Sequence, residues 1–166
     1  KSAVEAIQAH PNLNLQIVVF GAHLLSDYGN SINNIERDGY DISYKCSTNI
    51  EGDSPLTMSR SIGLAIIELS SAFEQLTPDI VLMVGDRYEI LAAAIAASIG
   101  NIPVAHIQGG EVSGTIDETI RHTVTKLSHV HFPSTELSGK RILLMGENPD
   151  HVFNVGCPAI DYIKKL

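Results

Sequence analysis

The sequence predicts a doubly wound α/β fold on a mostly parallel sheet. Three observations carry that expectation. Short, β-branched apolar runs alternate with amphipathic helical stretches along the chain. The run "DIVLMV" (Asp79–Val84) has no polar alternation inside it, which predicts a strand covered on both faces by helices. The connections are short, as right-handed βαβ units require.

The elements follow in order. "KSAVEAIQAH" reads as a helix, broken by His10-Pro11-Asn12. Leu15–Phe20 is an apolar strand, and Tyr40–Cys46 alternates as a second one. Between them, Gly21 to Gly39 is the one long irregular stretch and predicts a surface loop. Asp53-Ser54-Pro55 starts a helix, with Ser54 as N-cap and Pro55 at the first helical position. Met58, Ile62, Ala65, Ile66, Leu69, Phe73 and Leu76 form its apolar face, and Thr77-Pro78 stops it. After Asp79–Val84, an Ala-rich helix runs from Arg87 to Ile99 and ends at Gly100-Asn101. Pro103–Ile107 is the next strand. Thr115, with Glu118 three residues on, predicts a capping box for a helix whose face is Ile116, Ile120, Val124 and Leu127. A strand at His129–Phe132, a helix from Ser134 to Met145, a strand at His151–Val155 and a helix opening at Pro158 complete the alternation.

Composition narrows the function. The 166 residues suit one domain, and 44% hydrophobic against 18% charged residues can bury a core. A net charge of −8 argues against a sequence-independent nucleic-acid binder, because phosphate backbones reward basic surfaces. Cys46 and Cys157 stand far apart without a CxxC pattern, which predicts a reduced, cytoplasmic protein. No signal peptide is expected, and the longest apolar run, Ile90 to Ile99, is too short to span a bilayer. The chain does not open on Met, so its start fits an internal cut.

In an open parallel sheet, ligands bind beyond the carboxyl ends of the strands. Gly85-Asp86-Arg87 follows one predicted strand and Gln108 to Gly114 follows the next. If the two strands are neighbours, about 5 Å apart, then Asp86, Arg87, Gln108 and Glu111 converge on one crevice. Gly109, Gly110 and Gly114 permit positive φ and close approach of a ligand. The helix N-termini near Arg87 and Ile116 point positive dipole ends at the same edge, which favours phosphate. Neither G-x-G-x-x-G nor a P-loop is present. Simpler roles compete. Asp86 fits an N-cap with Glu89 completing a capping box, and Asp117 fits a first-turn carboxylate stabilised by the dipole. His129 and His131 have metal-like spacing without a third ligand and read as ordinary strand residues. His106 reads as a satisfied core histidine, and both cysteines as small hydrophobes.

Beyond these patterns, "GDRYEILAAAIAA", "NIPVAHIQGGEVSGTIDETIRHTVTKLSH" and "VGCPAID" resemble the hydrolysing UDP-N-acetylglucosamine 2-epimerases, and "GAHLLSDYGN" resembles that family's early loop. The resemblance implies two Rossmann-like domains in a glycosyltransferase-B-type arrangement, with the active site in the cleft between them. This chain resembles the N-terminal half: residues 1–157 as the domain, without its first strand, and 158–166 as the start of the helix leading to the hinge. The implied reaction eliminates UDP as the C2 proton leaves, then adds water across the glycal to give a free, C2-epimerised sugar. The pathway implied is sialic or legionaminic acid synthesis, through N-acetylmannosamine or a 2,4-diacetamido analogue. By resemblance, Asp86 and Asp117 are acid/base candidates. Gln108 stands where many relatives have glutamate, and an amide orients by hydrogen bonds but takes no proton. Glu111, three residues on, is the alternative carboxylate. Arg87 matches a diphosphate-binding arginine. Gly109, Gly110, Ser113, Arg121 and His122 are substrate-side candidates. The resemblance implies a UDP-sugar as partner and a homo-oligomer at full length; no metal, cofactor, nucleic acid or membrane partner is expected. Two rival readings are a non-hydrolysing 2-epimerase, which "EVSGTIDETIRH" disfavours, and a non-catalytic sugar-nucleotide-binding or oligomerisation module. The isolated chain is expected to be inactive.

Overall fold

A computed structural model describes residues 1–25, 31–48, 50, 52 and 54–164. Part of the "GAHLLSDYGN" loop, Asp53 of the expected helix start, and the last two residues lie outside the described set. The described elements are helix α1 (Ser2–Ala9), strand β1 (Val18–Phe20), α2 (Ile32–Arg37), β2 (Tyr44–Cys46), α3 (Pro55–Leu76), β3 (Val81–Val84), α4 (Tyr88–Ile99), β4 (Val104–Ile107), α5 (Ile116–Leu127), β5 (Val130–Phe132), α6 (Glu136–Leu144) and α7 (Pro158–Ile163).

Every registered strand pair is parallel. β1 pairs with β2, while β3, β4 and β5 form a second sheet in chain order. The crossovers α4 and α5 join β3 to β4 and β4 to β5. The first crossover contains more structure than expected. The stretch Gly21 to Gly39 holds a 3-10 turn, Gly21–Leu24, and the six-residue helix α2. α2 buries Ile32 alone, so its periodicity is too short to stand out in the sequence.

The core forms where α3 and α4 pack on the sheet. Ser54 caps α3 by accepting from the Thr57 N–H, and Pro55 follows at the first position, as the sequence predicts. Leu69, 1% exposed, and buried Ala65, Ala72 and Phe73 lie along one face of α3. They meet Ala92, Ala93, Ala96 and Ala97 of α4, whose small side chains bring the two helices close. Truncating Leu69 to Ala would cost about 2–5 kcal/mol.

Two expectations fail. β3 is not covered on both faces. Val81 and Met83 pack toward the helices, but Leu82 and Val84 are 38% and 48% exposed. β3 ends the described sheet, and no described strand pairs with its other side. His151–Val155 is not a regular strand. Pro149–His151 forms a 3-10 turn capped by Asn148, and only an isolated bridge joins Val152 to His131. Pro149 fixes its φ and lacks an N–H, which favours that turn over a ladder at this point. At the chain ends, α1 packs on α7, and Ser2 donates a hydrogen bond to the Pro158 carbonyl. Among the described residues no helix is long and apolar enough to cross a membrane.

Candidate active site

β3 and β4 are neighbours in register from Val81 with Val104 to Val84 with Ile107. Their trailing residues therefore open on one edge. After β3, Gly85 turns at φ +87° and Asp86 follows. Asp86 is not the N-cap of α4. That position belongs to Arg87, which makes no side-chain cap. Asp86 instead reaches across to α5, where its Oδ2 accepts from Arg121 Nη2. The Arg121 side chain is 7% exposed, and its Nη1 donates to the Glu111 carbonyl at 2.8 Å. One buried guanidinium thus ties the acid after β3 to the loop after β4. The loop helps fix that cation, with Ser113 Oγ 3.5 Å from Nη1.

The expected capping box of α5 does not form. Thr115 is the N-cap but its side chain caps nothing. Glu118 reaches past it, and its Oε2 accepts from the N–H groups of Ser113 at 2.8 Å and Gly114 at 2.7 Å. The N–H of Gly114, then that of Ser113, holds the Glu118 carboxyl below its usual range. The glycine at 114, at φ +71°, turns the chain back so that both donors face this carboxylate. Asp117 lies one turn before Arg121 on the same helix and accepts from Thr115 Oγ1 at 3.3 Å. His122 Nε2 is 4.0 Å from Glu118 Oε1.

Gln108 is one of few non-glycine residues at positive φ, at +65°. Strained backbone of this kind concentrates at functional sites. Its side-chain amide donates to Cys157 Sγ at 3.4 Å, so Cys157 belongs to this region and is not merely a packed hydrophobe. Gly109 and Gly110 are buried, and the protein's own atoms fill the space beside them. A β-carbon on Gly109 would meet Thr125 Oγ1 at 2.9 Å, and one on Gly110 would overlap the Ser138 carbonyl oxygen. These two glycines serve close packing of the loop onto α5 and α6, rather than opening space at their own α-carbons for a ligand.

His106 is fully buried and is satisfied, as expected. Its Nε2 lies 2.8 Å from the Gly85 carbonyl, which can only accept, so this nitrogen carries the proton. Burial pushes the imidazole down to about 4, so it is neutral. Its Nδ1 faces Thr125 Oγ1 at 3.3 Å. His129 accepts from the Val104 N–H, and His131 faces Glu147 at 3.3 Å. The described residues contain no group of three or more metal-ligating side chains.

The structure therefore brings Asp86, Arg121, Glu111, Ser113 and Asp117 to one edge. Arg87 stands at the same edge; its hydrogen bond to Glu89 raises its pKa most, and the negative charge of Asp117 adds to this. Sequence reasoning missed the direct pairing of Arg121 with Asp86, the loop anchor Glu118, and the placement of Cys157 beside Gln108. Only Glu118 left a signal, since a carboxylate shortly after Ser-Gly-Thr is a helix-start pattern whose exact partner N–H groups depend on the loop path.

Residues 5–166 match the family model for UDP-N-acetylglucosamine 2-epimerase. The chain belongs to that family. It is 42% identical over 163 residues to a UDP-N,N'-diacetylbacillosamine 2-epimerase (hydrolyzing) of Legionella pneumophila, covering 98% of this chain and 43% of that protein. It is 40% identical over 161 residues to a GDP/UDP-N,N'-diacetylbacillosamine 2-epimerase (hydrolyzing) of Campylobacter jejuni, covering 96% and 42%. Among solved structures, the UDP-GlcNAc 2-epimerase of Neisseria meningitidis bound to UDP-GlcNAc has the same fold, with a TM-score of 0.84 at 23% identity, covering 99% of this chain and 44% of that one. The chain thus spans less than half the length of these relatives. Its parallel α/β architecture is that of the family's N-terminal half.

Proposed function

We propose that this chain forms one wall of the active site of a hydrolysing UDP-sugar 2-epimerase. The observation that carries this reading is the tie of Asp86 to Arg121 beside Asp117, in a chain 42% identical to a hydrolysing 2-epimerase. The substrate is a UDP-sugar with an acetamido group at C2. Two relatives named for diacetylbacillosamine favour the 2,4-diacetamido sugar over N-acetylglucosamine.

The chemistry requires a base and an acid on opposite faces of the sugar ring. Asp86, with Oδ2 fixed by Arg121, takes or returns the C2 proton through its other oxygen. Asp117 serves the second proton transfer. Gln108 orients substrate or water, and Glu111 supplies a carboxylate nearby. Arg87 receives the diphosphate, whose negative charge grows as UDP leaves C1. Ser113 and His122 line the same side. Elimination gives UDP and the glycal. Addition of water to C1, with a proton to C2, gives the free epimer. Residues beyond this chain supply the opposite wall and most nucleotide contacts. The full-length enzyme works as a cytoplasmic homo-oligomer, a reading supported by two unpaired cysteines and by the apolar groove between α3 and α4 lined by Ile66, Phe73, Ile95 and Ile99.

The test is product analysis with the full-length enzyme. NMR of reactions with each UDP-sugar should show UDP and a free, C2-epimerised sugar. Asp86→Asn should lower turnover about 10²–10⁴-fold, the range for a lost general acid or base. Near-normal turnover would remove Asp86 from that role. An epimerised sugar still attached to UDP would show a non-hydrolysing enzyme.

A further inference from the structure

Glu89 is a carboxylate that the proposed chemistry leaves unused. The sequence places it to close a capping box with Asp86, and the structure does not use it there. Its residue is 7% exposed, inside the first turn of α4. Burying a carboxylate is costly unless it is paired and hydrogen-bonded. Its partner is Arg87, two residues earlier. Arg87 Nε lies 3.2 Å from Oε2, and Nη2 lies 3.4 Å from Oε1. This is a side-on fork. It engages Nε–H and one Nη2–H, and leaves the outer edge formed by Nη1 and Nη2, with three N–H donors. The Arg87 side chain is 64% exposed while that of Glu89 is 10% exposed. The pair therefore has an anchored end and a presented end.

The anchored end is held from a third direction. Gly21, at the start of the 3-10 turn after β1, lies against Glu89, and a β-carbon there would meet Glu89 Cγ at 3.0 Å. The Gly21 N–H in turn donates to Thr48 Oγ1, buried just after β2. The turn following β1 thus packs on the Glu89 side chain, and the segment following β2 holds that turn through Thr48.

We infer that Glu89 is a positioning residue, which clamps the side-on edge of Arg87 so that its outer edge is presented, pre-oriented, to a diphosphate at the strand ends. This inference rests on the reading of Arg87 as the diphosphate contact. A fixed guanidinium loses less conformational freedom on binding than a mobile one. Geometry and charge make opposite predictions here. Removing a negative charge beside an anion site should tighten anion binding by Coulomb attraction alone. Removing a clamp should weaken it.

The experiment is calorimetric titration of UDP into the full-length protein, so that neither the sugar nor turnover enters. Glu89→Gln should raise Kd about 10-fold, the scale of a lost charge-assisted hydrogen bond. Arg87→Ala should raise Kd at least as much, and adding Glu89→Gln to Arg87→Ala should change nothing further. Arg87→Lys, which keeps the charge without the fork and leaves Glu89 in place, should raise Kd as Glu89→Gln does, and serves if Glu89→Gln fails to fold. Unchanged or tighter UDP binding in Glu89→Gln, with a weakened Arg87→Ala, would overturn the clamp while leaving the diphosphate role of Arg87 standing. An effect of Glu89→Gln that persists in the Arg87→Ala background would also overturn it, as would Arg87→Lys binding like the unaltered protein. No effect of Arg87→Ala on Kd would remove the diphosphate role itself, and the clamp with it.

Discussion

Gly110 has no room for a methyl group. Its φ is +75°, the Ser138 carbonyl oxygen occupies the β-carbon position, and Ile142 Cγ1 would lie 2.9 Å away. Both backbone strain and a clash with main chain oppose a side chain there. Gly110→Ala should therefore lose about 3 kcal/mol or more in urea unfolding, at the upper end for overpacked sites. His106 makes a second residue-scale prediction. Its folded pKa is about 4 against 6.5 for an ordinary imidazole, because of burial, partly offset by the bond to the Gly85 carbonyl. The unfolded chain binds this proton more readily, so stability is full above pH 6.5 and falls as pH drops toward 4. The loss is on the order of 3 kcal/mol at most. His131, also shifted down by burial, acts in the same direction. Thermal unfolding from pH 7 to pH 4.5 should show a falling midpoint, with a shallower slope in His106→Asn. The sequence revealed that Gly109-Gly110 was special but not why, because the atoms closest to an added side chain, Thr125 Oγ1 at Gly109 and the Ser138 carbonyl oxygen at Gly110, come from α5 and α6, more than a dozen residues away.

The helices were the most legible elements. α3 starts at its predicted cap, and α4 ends at Gly100 as expected, since caps and breakers are local signals. The strands came out shorter, with β1 at Val18–Phe20 against an expected Leu15–Phe20, because strand ends depend on where a neighbour stops pairing. α5 shows how an element can be right while its termination is wrong. Glu118 stabilises the preceding loop through Ser113 and Gly114, rather than the N-cap residue. That loop also carries the Glu111 carbonyl that holds Arg121. Glu118→Gln should therefore lower kcat/KM of the full-length enzyme roughly 10–100-fold through misplacement of the loop, with a smaller change in the thermal midpoint because the carboxylate is only partly buried. An unchanged kcat/KM would show that the loop holds its path without this anchor.

At the scale of the whole molecule, the opening of the segments after β3 and β4 on one edge was readable, because parallel topology sends consecutive strand ends the same way. The openness of β3 was not. Its apolar run predicts cover on both faces, yet Ile80, Leu82 and Val84 are 47%, 38% and 48% exposed. An apolar strand with one side unpaired is a template for association. Solutions of the 166-residue chain alone should scatter light increasingly with concentration, and Leu82→Lys should suppress this.

Arg121 joins two parts of the molecule that the chain separates by a strand and a helix. Because that one cation serves both the acid after β3 and the main-chain carbonyl of the next loop, losing Arg121 strands both, and losing Asp86 leaves a buried guanidinium half-paired. Positions 86 and 121 should consequently drift together in descendants of this protein, and a laboratory search for revertants of a damaged Asp86 should return second changes in α5 more often than anywhere else.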